Sequence, residues 1–391
     1  MLKLNTMNIL FDLYTPQFQI GGAGEYIRKV FYTLLEYIRK VQSDITVYVL
    51  IDSSYGKYAY QDLTPESLSH RGVIIADING LTLKQLIFDY SIDKVFIGCA
   101  QYWGARFDIE NIKIPTVCII HDLCEEEYEY NYLNDYILLS NFKKYVRWKV
   151  GSFLKGKQKL LRLPPIIKQA KRNNEFKIIC VSEYSKNSIA YYFTYPLNKI
   201  DVLYSPEREY IIRDGIENGE LKRVVSAGIT YYLMLSANRP FKNPDKVFHA
   251  FKRFVEYGHN DVYLVTTGYK EQKFKNHIPL GYLSDNDLVH LMRHCYALLF
   301  PSFFEGFGYP PVEAMSFGKP VLASNVTSMP EVLGDAPIYF SPLYESDIFK
   351  ALNVLNEFNY EDYSDKSQNR YKKISTRQQQ DLDKLIQIIV N

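Results

Sequence analysis

Long hydrophobic runs are missing from this sequence of 391 residues. No apolar run approaches the roughly 18–20 residues that a membrane-spanning helix needs, so no such helix is predicted. The first residues, MLKLNTMNILFDLY, are too few and too polar for a secretory signal and lead straight into a strand-like segment. With 47% apolar residues, the composition is not that of a disordered chain either. These observations predict a globular protein of the cytoplasm.

Cysteine is scarce, and its spacing does not match zinc or redox motifs. The five cysteines are an odd number without any CxxC pair, namely Cys99, Cys118, Cys124, Cys180 and Cys295. Three of them lie in or beside apolar runs. This placement favours buried free thiols in a reducing compartment over the alternatives of a disulfide or a metal site.

A GxGxxG motif is absent as well. Gly21, Gly22 and Gly24 follow the first predicted strand and open a helix predicted over 25–38. Glycines at such a position let the backbone approach a ligand closely, with the helix N–H groups behind them. Because their spacing is not that of a nicotinamide-binding Rossmann domain, this class is disfavoured. Asp52, after the second strand, is the feature that keeps it open.

Short apolar runs, by contrast, recur along the chain with helical patterns between them. They are continuous rather than alternating, as in parallel strands buried on both faces, and their alternation with helices predicts an α/β fold. The twelve runs cover 9–11, 46–51, 73–76, 95–97, 116–120, 178–181, 202–204, 231–235, 262–266, 297–300, 320–323 and 338–340. A polar, turn-rich stretch over 205–229 divides them seven to five. We expect Rossmann-like domains over 1–206 and 207–374, and a final helix over 375–391.

Positive charge is concentrated in one segment, although the net charge is only +2. Residues 142–177 hold twelve Lys or Arg against one acid, Glu175, so this basic segment carries +11. Cationic and apolar side chains interleave there, which suits an interfacial helix on anionic lipid and equally an ordinary helix with a solvated basic face. Nucleic acid binding is disfavoured, because no recognised nucleic-acid module accompanies the charge. The candidates for a membrane or acceptor face are Lys143, Lys144, Arg147, Trp148 and Lys149.

The most informative motif is EGFGYPPVEAM, over 305–315. An apolar strand precedes it, and Pro310 and Pro311 suit the first turn of a helix, where a missing N–H costs nothing. Backbone N–H groups and the positive helix end then converge on the intervening loop, which suits a phosphate. Glu305 and Glu313 add acceptors for hydroxyl groups, so the motif predicts a site for a phosphorylated sugar. For Glu313 alone, the alternative is a glutamate favoured by the helix dipole.

Two other groups of polar residues follow predicted strands, where ligands of open α/β sheets bind. His121 comes directly after the strand over 116–120, although a lone histidine is more often a satisfied structural residue. Arg239 and Lys242 follow the first strand of the second half. They suit a diphosphate, with the guanidinium bidentate and the ammonium a point charge. The alternative for this pair is two surface cations at a turn.

Taken together, these residues resemble the retaining glycosyltransferases of family four, or glycosyl transferases group 1, and in particular mannosyltransferase-like members. The matching motifs follow one another along most of the chain. They read GGAGEY (21–26), IIHDL (119–123), VSEYSKNSI (181–189), VLYSP (202–206), LSANRPFKN (235–243), GYLSDNDLVHLM (281–292), PSFFEGFGYPPVEAMSFGKPV (301–321) and SMPEVLGDAPIYFSP (328–342).

The resemblance implies the GT-B fold, in which two Rossmann-like domains face a cleft and the C-terminal helix crosses back to the first domain. It implies that Glu305 hydrogen-bonds the donor sugar and Glu313 the ribose hydroxyls. Arg239 and Lys242 would stabilise the diphosphate leaving group. The backbone of the loop between the two glutamates would meet the sugar and the β-phosphate, through Gly306, Phe307 and Gly308.

Three further residues receive roles from the resemblance. His121 would lie beside the reacting sugar, Gly22 would approach the diphosphate from the first domain, and Tyr282 would lie near the base. The sequence departs from the family at two points. The spacing from Arg239 to Lys242 is shorter than in many members, and Thr376 stands where an aromatic residue is common.

The implied reaction moves a hexosyl group from a nucleoside-diphosphate sugar to a hydroxyl of a glycan or lipid-linked glycan, in cell-surface polysaccharide synthesis. Neither a cofactor nor a metal is expected, and GDP-mannose is preferred to UDP-sugars as the donor. The enzyme would be cytoplasmic, either free or peripheral on the inner face of the membrane. A non-catalytic GT-B scaffold subunit and a nucleotide-sugar epimerase stay open as alternatives.

Overall fold

The computed structural model describes residues 7–18, 20–124, 126–127, 163–210, 212–356 and 358–391. These residues divide into two compact units. The first unit holds the described residues up to Arg208 together with Arg377–Asn391, and the second holds Glu209–Thr376. Each unit contains its own parallel sheet, so the predicted pair of Rossmann-like domains is confirmed.

The first unit is built on a sheet of seven described strands, which run in the order β3-β2-β1-β4-β5-β6-β7. Every neighbouring pair is parallel, and Ile9 of β1 pairs with Val47 on one side and Lys94 on the other. The strands are β1 (Met7–Asp12), β2 (Ile45–Ile51), β3 (Ile74–Asp77), β4 (Lys94–Ile97), β5 (Thr116–Ile120), β6 (Phe176–Cys180) and β7 (Ile200–Val202). An apolar run of the sequence overlaps each of the seven, although the run over 202–204 shares only Val202 with β7.

Helices cover this sheet with apolar faces of helical spacing. The described helices of the first unit before its last segment are α1 (Tyr14–Phe18), α2 (Gly22–Val41), α3 (Pro65–Leu68), α4 (Leu83–Asp89), α5 (Ala100–Arg106), α6 (Leu163–Arg172) and α7 (Glu183–Phe193). In α2, Ile27, Val30 and Phe31 are fully buried, as the periodicity predicts. This helix begins three residues before the predicted start, because Gly21, at φ 133°, is its N-cap.

The second unit repeats the plan with six described strands, in the order β10-β9-β8-β11-β12-β13. All neighbours are again parallel. The strands are β8 (Thr230–Met234), β9 (Val262–Thr266), β10 (His277–Pro279), β11 (Ala297–Phe300), β12 (Val321–Ser324) and β13 (Ile338–Phe340). The helices are α8 (Gly219–Ser226), α9 (Pro244–Glu256), α10 (Asp285–His294), α11 (Tyr309–Ser316), α12 (Met329–Leu333) and α13 (Glu345–Val354).

One strand was missed by the sequence prediction. Strand β10 has only three residues and pairs at the edge of the sheet with β9. It contains the buried His277 and ends on Pro279, so it carries no apolar run. Pro279 is tolerated because edge strands have a free side that needs no ladder hydrogen bond.

The last helix, α14 (Tyr360–Val390), is continuous across the sequence boundary between the two units. Within the second unit, Arg370 donates to the backbone oxygens of Val332 and Glu331. Within the first unit, Gln378 donates to the backbone oxygen of Ser205. None of the described helices combines the length and the apolar character that crossing a membrane requires.

Most of the basic segment lies outside the described residues, including Lys143, Lys144, Arg147, Trp148 and Lys149. Its described end begins with α6, where Lys168 and Arg172 approach the carboxylate of Glu110 at 2.8 and 3.7 Å. At this end of the basic segment, the positive charges are therefore paired with a carboxylate of the same unit. Whether the rest is an interfacial or an ordinary helix stays a prediction.

Candidate functional site

The carboxyl ends of the parallel strands place the predicted donor residues at one edge of the second sheet. The strand order reverses beside β8, because the chain continues from β8 to β9 on one side and reaches β11 on the other. Ligands of open α/β sheets bind outside such a switch point. The segments that follow β8 and β11 contain Arg239, Lys242 and Glu305. The fold therefore puts the predicted binding residues where a ligand is expected.

Lys242 and Glu305 contact each other directly at this switch point. Lys242 ends the short 3₁₀ turn Pro240–Lys242, and its Nζ donates to Oε1 of Glu305. Their side chains are only 9% and 16% exposed. The ammonium also lies 4.4 Å from the ring centroid of Phe300, at the end of β11. Each charge thus has a counter-charge inside the site, in a partly dry environment where such pairing is strong.

The backbone of Glu305 is held by two residues that follow β12. Its N–H donates to Thr327 Oγ1 at 3.3 Å, and its carbonyl oxygen accepts from Ser328 Oγ at 2.9 Å. Thr327 has φ 54°, a left-handed conformation that is uncommon for a β-branched residue. The sequence analysis did not select Thr327 or Ser328 as functional residues. Ser328 is the first residue of one of the motifs that carry the family resemblance, and this motif was the signal that could have found it.

The glycine loop leads into α11 as the prolines predicted. Gly308 is the N-cap at φ 88°, and as a glycine it offers no side-chain cap. Pro310 and Pro311 lack an N–H, so the donors at this helix start are the backbone N–H groups of Gly308 and Tyr309. The positive φ favours glycine here, and a Cβ would also lie 2.4 Å from Cε of Met329, whose side chain would have to move. Phe307 is buried, with 4% exposed, which anchors the loop between Gly306 and the helix.

The remaining donor candidates lie around this loop and strand edge. Glu313 is half-buried in the second turn of α11. Tyr282 is 77% exposed, and its hydroxyl accepts from Asn238 Nδ2 at 2.8 Å, so it is tied to the loop after β8. Arg239 is exposed and makes no ion pair within the described part of the chain. It is therefore held less firmly than Lys242.

The first unit has a corresponding edge, where the strand order reverses between β1 and β4. Asp12 ends β1 and is fully buried, and its Oδ2 accepts from Gly98 N, just after β4, at 3.0 Å. It also accepts from Thr15 N and Thr15 Oγ1, both at 2.9 Å. The carbonyl oxygen of Gly98 contacts Nε2 of His121 at 2.9 Å. One peptide segment thus joins the buried carboxylate to the predicted catalytic histidine.

These contacts fix the charge and tautomer of the histidine. A carbonyl only accepts, so Nε2 carries the proton. Burial lowers the pKa of His121 to about 4, against the opposing effect of the hydrogen bond to Gly98, so the ring is neutral near pH 7. Burial also raises the pKa of Asp12 to about 6, although its hydrogen bonds favour the charged form.

The second turn of α2 packs against the same histidine. The ring of Tyr26 meets the ring of His121 edge-on, with centroids 4.8 Å apart. Gly22, four residues earlier, is exposed at the start of this helix, where no side chain caps the N–H groups. The prediction selected His121 and Gly22 but missed Asp12 and Gly98. A carboxylate at a strand end was the only signal for Asp12.

Metal binding was not expected from the sequence. Among the described residues, no group of three or more His, Cys, Asp or Glu side chains is arranged to hold a metal ion. None of the five cysteines forms a disulfide, and four of them are buried. The expectation of a metal-independent site stays a prediction.

Comparison with known proteins identifies the fold. The fold is shared with solved glycosyltransferase structures of the GT-B type. One of them, Anabaena HepE in complex with UDP-glucose, matches with a TM-score of 0.61 at 16% identity, over 97% of this chain and 99% of that one. This similarity confirms the predicted GT-B fold.

The family model of glycosyl transferases group 1 matches residues 227–342, in the second unit. The O-antigen chain mannosyltransferase B of Escherichia coli is 33% identical over 180 residues, which are 42% of this chain and 47% of that protein. The serotype-specific mannosyltransferase WbdA of Escherichia coli is 25% identical over 276 residues, 66% of this chain and 31% of that protein. The chain thus matches half or less of these relatives' length. The predicted resemblance to glycosyl transferases group 1 is confirmed.

Proposed function

We propose that this protein is a retaining glycosyltransferase that transfers a hexosyl group from a nucleoside-diphosphate sugar to a hydroxyl of a glycan or lipid-linked glycan. The observation that carries the proposal is the contact between Lys242 and Glu305 at the switch point of a domain that matches glycosyl transferases group 1. A cation for a diphosphate and a carboxylate for sugar hydroxyls stand side by side there, next to an uncapped helix start.

On donor binding, the diphosphate of the substrate would replace Glu305 as the anion that pairs with Lys242. Without donor, Glu305 neutralises the buried ammonium. The diphosphate brings negative charge to Lys242 and to the N–H groups at the start of α11, and Glu305 becomes free to accept from the sugar hydroxyls. Arg239, exposed at the rim, adds a guanidinium for the same phosphates. Glu313 and Tyr282 serve the ribose and the base.

The transfer itself needs stabilisation of the departing diphosphate. The bond from the anomeric carbon to the phosphate oxygen breaks, and the acceptor oxygen attacks from the same face, so the configuration is retained. The acceptor proton passes to the departing phosphate oxygen. Lys242 and the helix start stabilise the charge that develops there, which is the role a metal plays in other transferases. The reaction then requires neither a metal nor a general base from the protein.

The first unit would contribute the acceptor side. His121 is neutral and donates through Nε2 to Gly98, so it serves as a positioned hydrogen-bonding group beside the sugar and not as a cation. The names of the relatives favour mannose as the transferred sugar and O-antigen-like polysaccharide as the product class. We therefore propose GDP-mannose as the donor, over the UDP-glucose bound by HepE.

A donor panel followed by matched variants tests this function. GDP-mannose, UDP-glucose, ADP-glucose and dTDP-glucose are compared by calorimetry, with EDTA present to exclude a metal requirement. We expect GDP-mannose to bind most tightly. Lys242→Met should weaken its binding about tenfold or more, since a hydrogen bond to a charged group is worth about 1.5–3 kcal/mol. Lys252→Met, at an exposed position of α9, is the control and should bind normally.

Measurements of turnover distinguish a transferase from a scaffold subunit and from an epimerase. The enzyme should hydrolyse its donor slowly without acceptor, and Glu305→Gln should abolish this activity while the fold persists. A protein that binds donor but never cleaves it would be a scaffold subunit. Release of a new nucleotide sugar without any acceptor would identify an epimerase. Binding of no nucleotide sugar at all would refute the proposal.

A further inference from the structure

A cavity of about 390 Å³ lies at the opposite end of the first sheet from His121. It is formed where β4, β5 and β6 begin and where the last turns of α14 pack over them. Because strands of four or five residues are about 13–17 Å long, this end is well separated from the carboxyl edge. The cavity is lined by Lys94, Pro115, Thr116, Val117, Glu175, Lys177, Lys384, Gln387, Ile388 and Asn391. We call it the lysine pocket.

The central charge of the lysine pocket is a buried ammonium. Lys94 is the first residue of β4 and is only 8% exposed. Its Nζ donates to the backbone oxygen of Ile388 at 3.1 Å, and it makes no ion pair within the described residues. Burial of an ammonium without a counter-charge is unfavourable. Burial and the nearby positive charge of Lys177 accordingly lower the pKa of Lys94.

Two more lysines line the same cavity. Lys177, in β6, lies 2.9 Å from Asp201, which neutralises part of its charge. Lys384, on α14, is exposed. Glu175 is the single acid among the lining residues. The lining residues thus comprise three lysines and one acid, and because Asp201 offsets Lys177, the excess of positive charge at the cavity comes from Lys94 and Lys384 against Glu175.

A purely structural role would explain less of this arrangement. Lys94 satisfies one of the last carbonyl groups of α14, which have no partner inside the helix. That role needs one N–H and no further charge. It explains neither the cavity next to the ammonium nor the two additional lysines that line it.

We propose that the lysine pocket binds a phosphate group, with Lys94 as its buried anchor and Lys177 and Lys384 as further cations at the walls. The cavity is within the range of about 300–1,000 Å³ that small-molecule sites occupy, so the ligand is a phosphorylated molecule larger than phosphate itself. Pro115, Val117 and Ile388 provide apolar contacts for the rest of it. Such a ligand would fasten the end of α14 to the sheet.

Titration of the full chain with two probes tests the proposal and separates its two sources. Glycerol 3-phosphate represents a free phosphorylated molecule, and vesicles of phosphatidylglycerol represent a lipid headgroup, with phosphatidylcholine vesicles as the neutral reference. We expect saturable binding of at least one anionic probe. Lys94→Met should weaken it about tenfold, as expected when a charge-assisted hydrogen bond is lost. Binding of glycerol 3-phosphate indicates a free ligand, and binding of the anionic vesicles alone indicates a headgroup.

Control variants keep the test decisive. Lys252→Met should leave binding unchanged, and Lys94→Met should leave GDP-mannose binding unchanged, because the lysine pocket and the donor edge belong to different units. If Lys94→Met does not fold, Lys177→Gln and Lys384→Gln replace it, each with a loss of about threefold. Absence of binding by the wild type, or binding that these variants do not weaken, would overturn the proposal.

Discussion

The two carboxyl edges of this protein organise their polar residues in opposite ways. In the second unit, Lys242 and Glu305 carry full charges that neutralise each other. In the first unit, Asp12, Gly98 and His121 are joined by hydrogen bonds through the backbone, and the histidine is neutral. A charged side chain can leave its partner and pair with a charged group of a substrate. A hydrogen-bonded network instead keeps its side chains in fixed positions. The proposed function uses this contrast, because it assigns anion binding to the edge of the second unit and positioning of the acceptor hydroxyl to the edge of the first.

Breaking the charge pair should give the largest effect. Lys242→Met and Glu305→Gln should each lower the free energy of unfolding of the second unit by about 3 kcal/mol, because each leaves an unpaired charge largely buried. The double variant should recover part of this loss, with a coupling energy of about 2 kcal/mol. Hydrogen exchange of the β11 amides measures the second unit by itself.

An exposed ion pair of the same unit provides the matched control. Lys252 and Glu256 lie 3.8 Å apart on α9, with side chains about 60% exposed. Lys252→Met, Glu256→Gln and their combination should change stability by about 0.5 kcal/mol or less. Strict additivity at Lys242 and Glu305 would show that their contact contributes nothing, and the contrast between the two edges would then fail.

Acidification should affect the second unit more than the first. His277 is 1% exposed, its Nδ1 accepts from Lys273 N, and burial lowers its pKa to about 4. A lowered pKa means that the unfolded chain binds the proton more readily, so stability falls as the pH drops from 6.5 towards 4. Between pH 7 and pH 5 this loss amounts to about 2 kcal/mol.

The first unit contains two shifts of opposite sign in the same range. The lowered pKa of His121 gives a loss of similar size. The pKa of Asp12, raised to about 6, makes the folded state bind its proton first, so stability rises by about 1 kcal/mol as the pH drops from 7 to 5. The net loss should be less than half of that in the second unit. Hydrogen exchange of β5 and β9 amides at the two pH values compares the units directly.

Two substitutions test which groups cause the difference in acid sensitivity between the units. His277→Gln should remove the acid sensitivity of β9, and Asp12→Asn should increase that of β5 by about 1 kcal/mol, because the compensating proton is no longer bound. Equal losses in both units of the wild type would mean that Asp12 and His121 of the first unit do not offset each other.

Much of the fold could be predicted because the signals are local. Twelve apolar runs marked twelve strands, and Pro310, Pro311 and the glycines before them marked the start of α11. Each signal depends on residues within one element. Strand β10 was missed because its three residues, His277–Pro279, belong to no apolar run.

The contacts that make the sites could not be predicted in the same way. Lys242 and Glu305 are 63 positions apart, and Asp12 and Gly98 are 86 apart, so only the strand order brings each pair together. The sequence indicated that His121 follows a strand, but burial determines its charge. A carboxylate at the end of β1 resembles a surface residue until the loop after β4 covers it.

The smallest effect should come from the exposed partner of the donor edge, and it rests on the proposed function. Arg239 makes no ion pair within the described residues, so Arg239→Ala should change stability by about 0.5 kcal/mol or less. GDP affinity should fall about threefold at low salt, and the difference should vanish near 0.5 M salt, because exposed charges are screened. The effect of Lys242→Met should persist there, since buried charges are screened less. Calorimetry at both salt concentrations measures this, with Arg253→Ala on α9 as the control. If Arg239→Ala lowered GDP affinity as much as Lys242→Met and the loss persisted at high salt, both cations would lie inside the site. The distinction between an exposed Arg239 and a buried Lys242 would then fail.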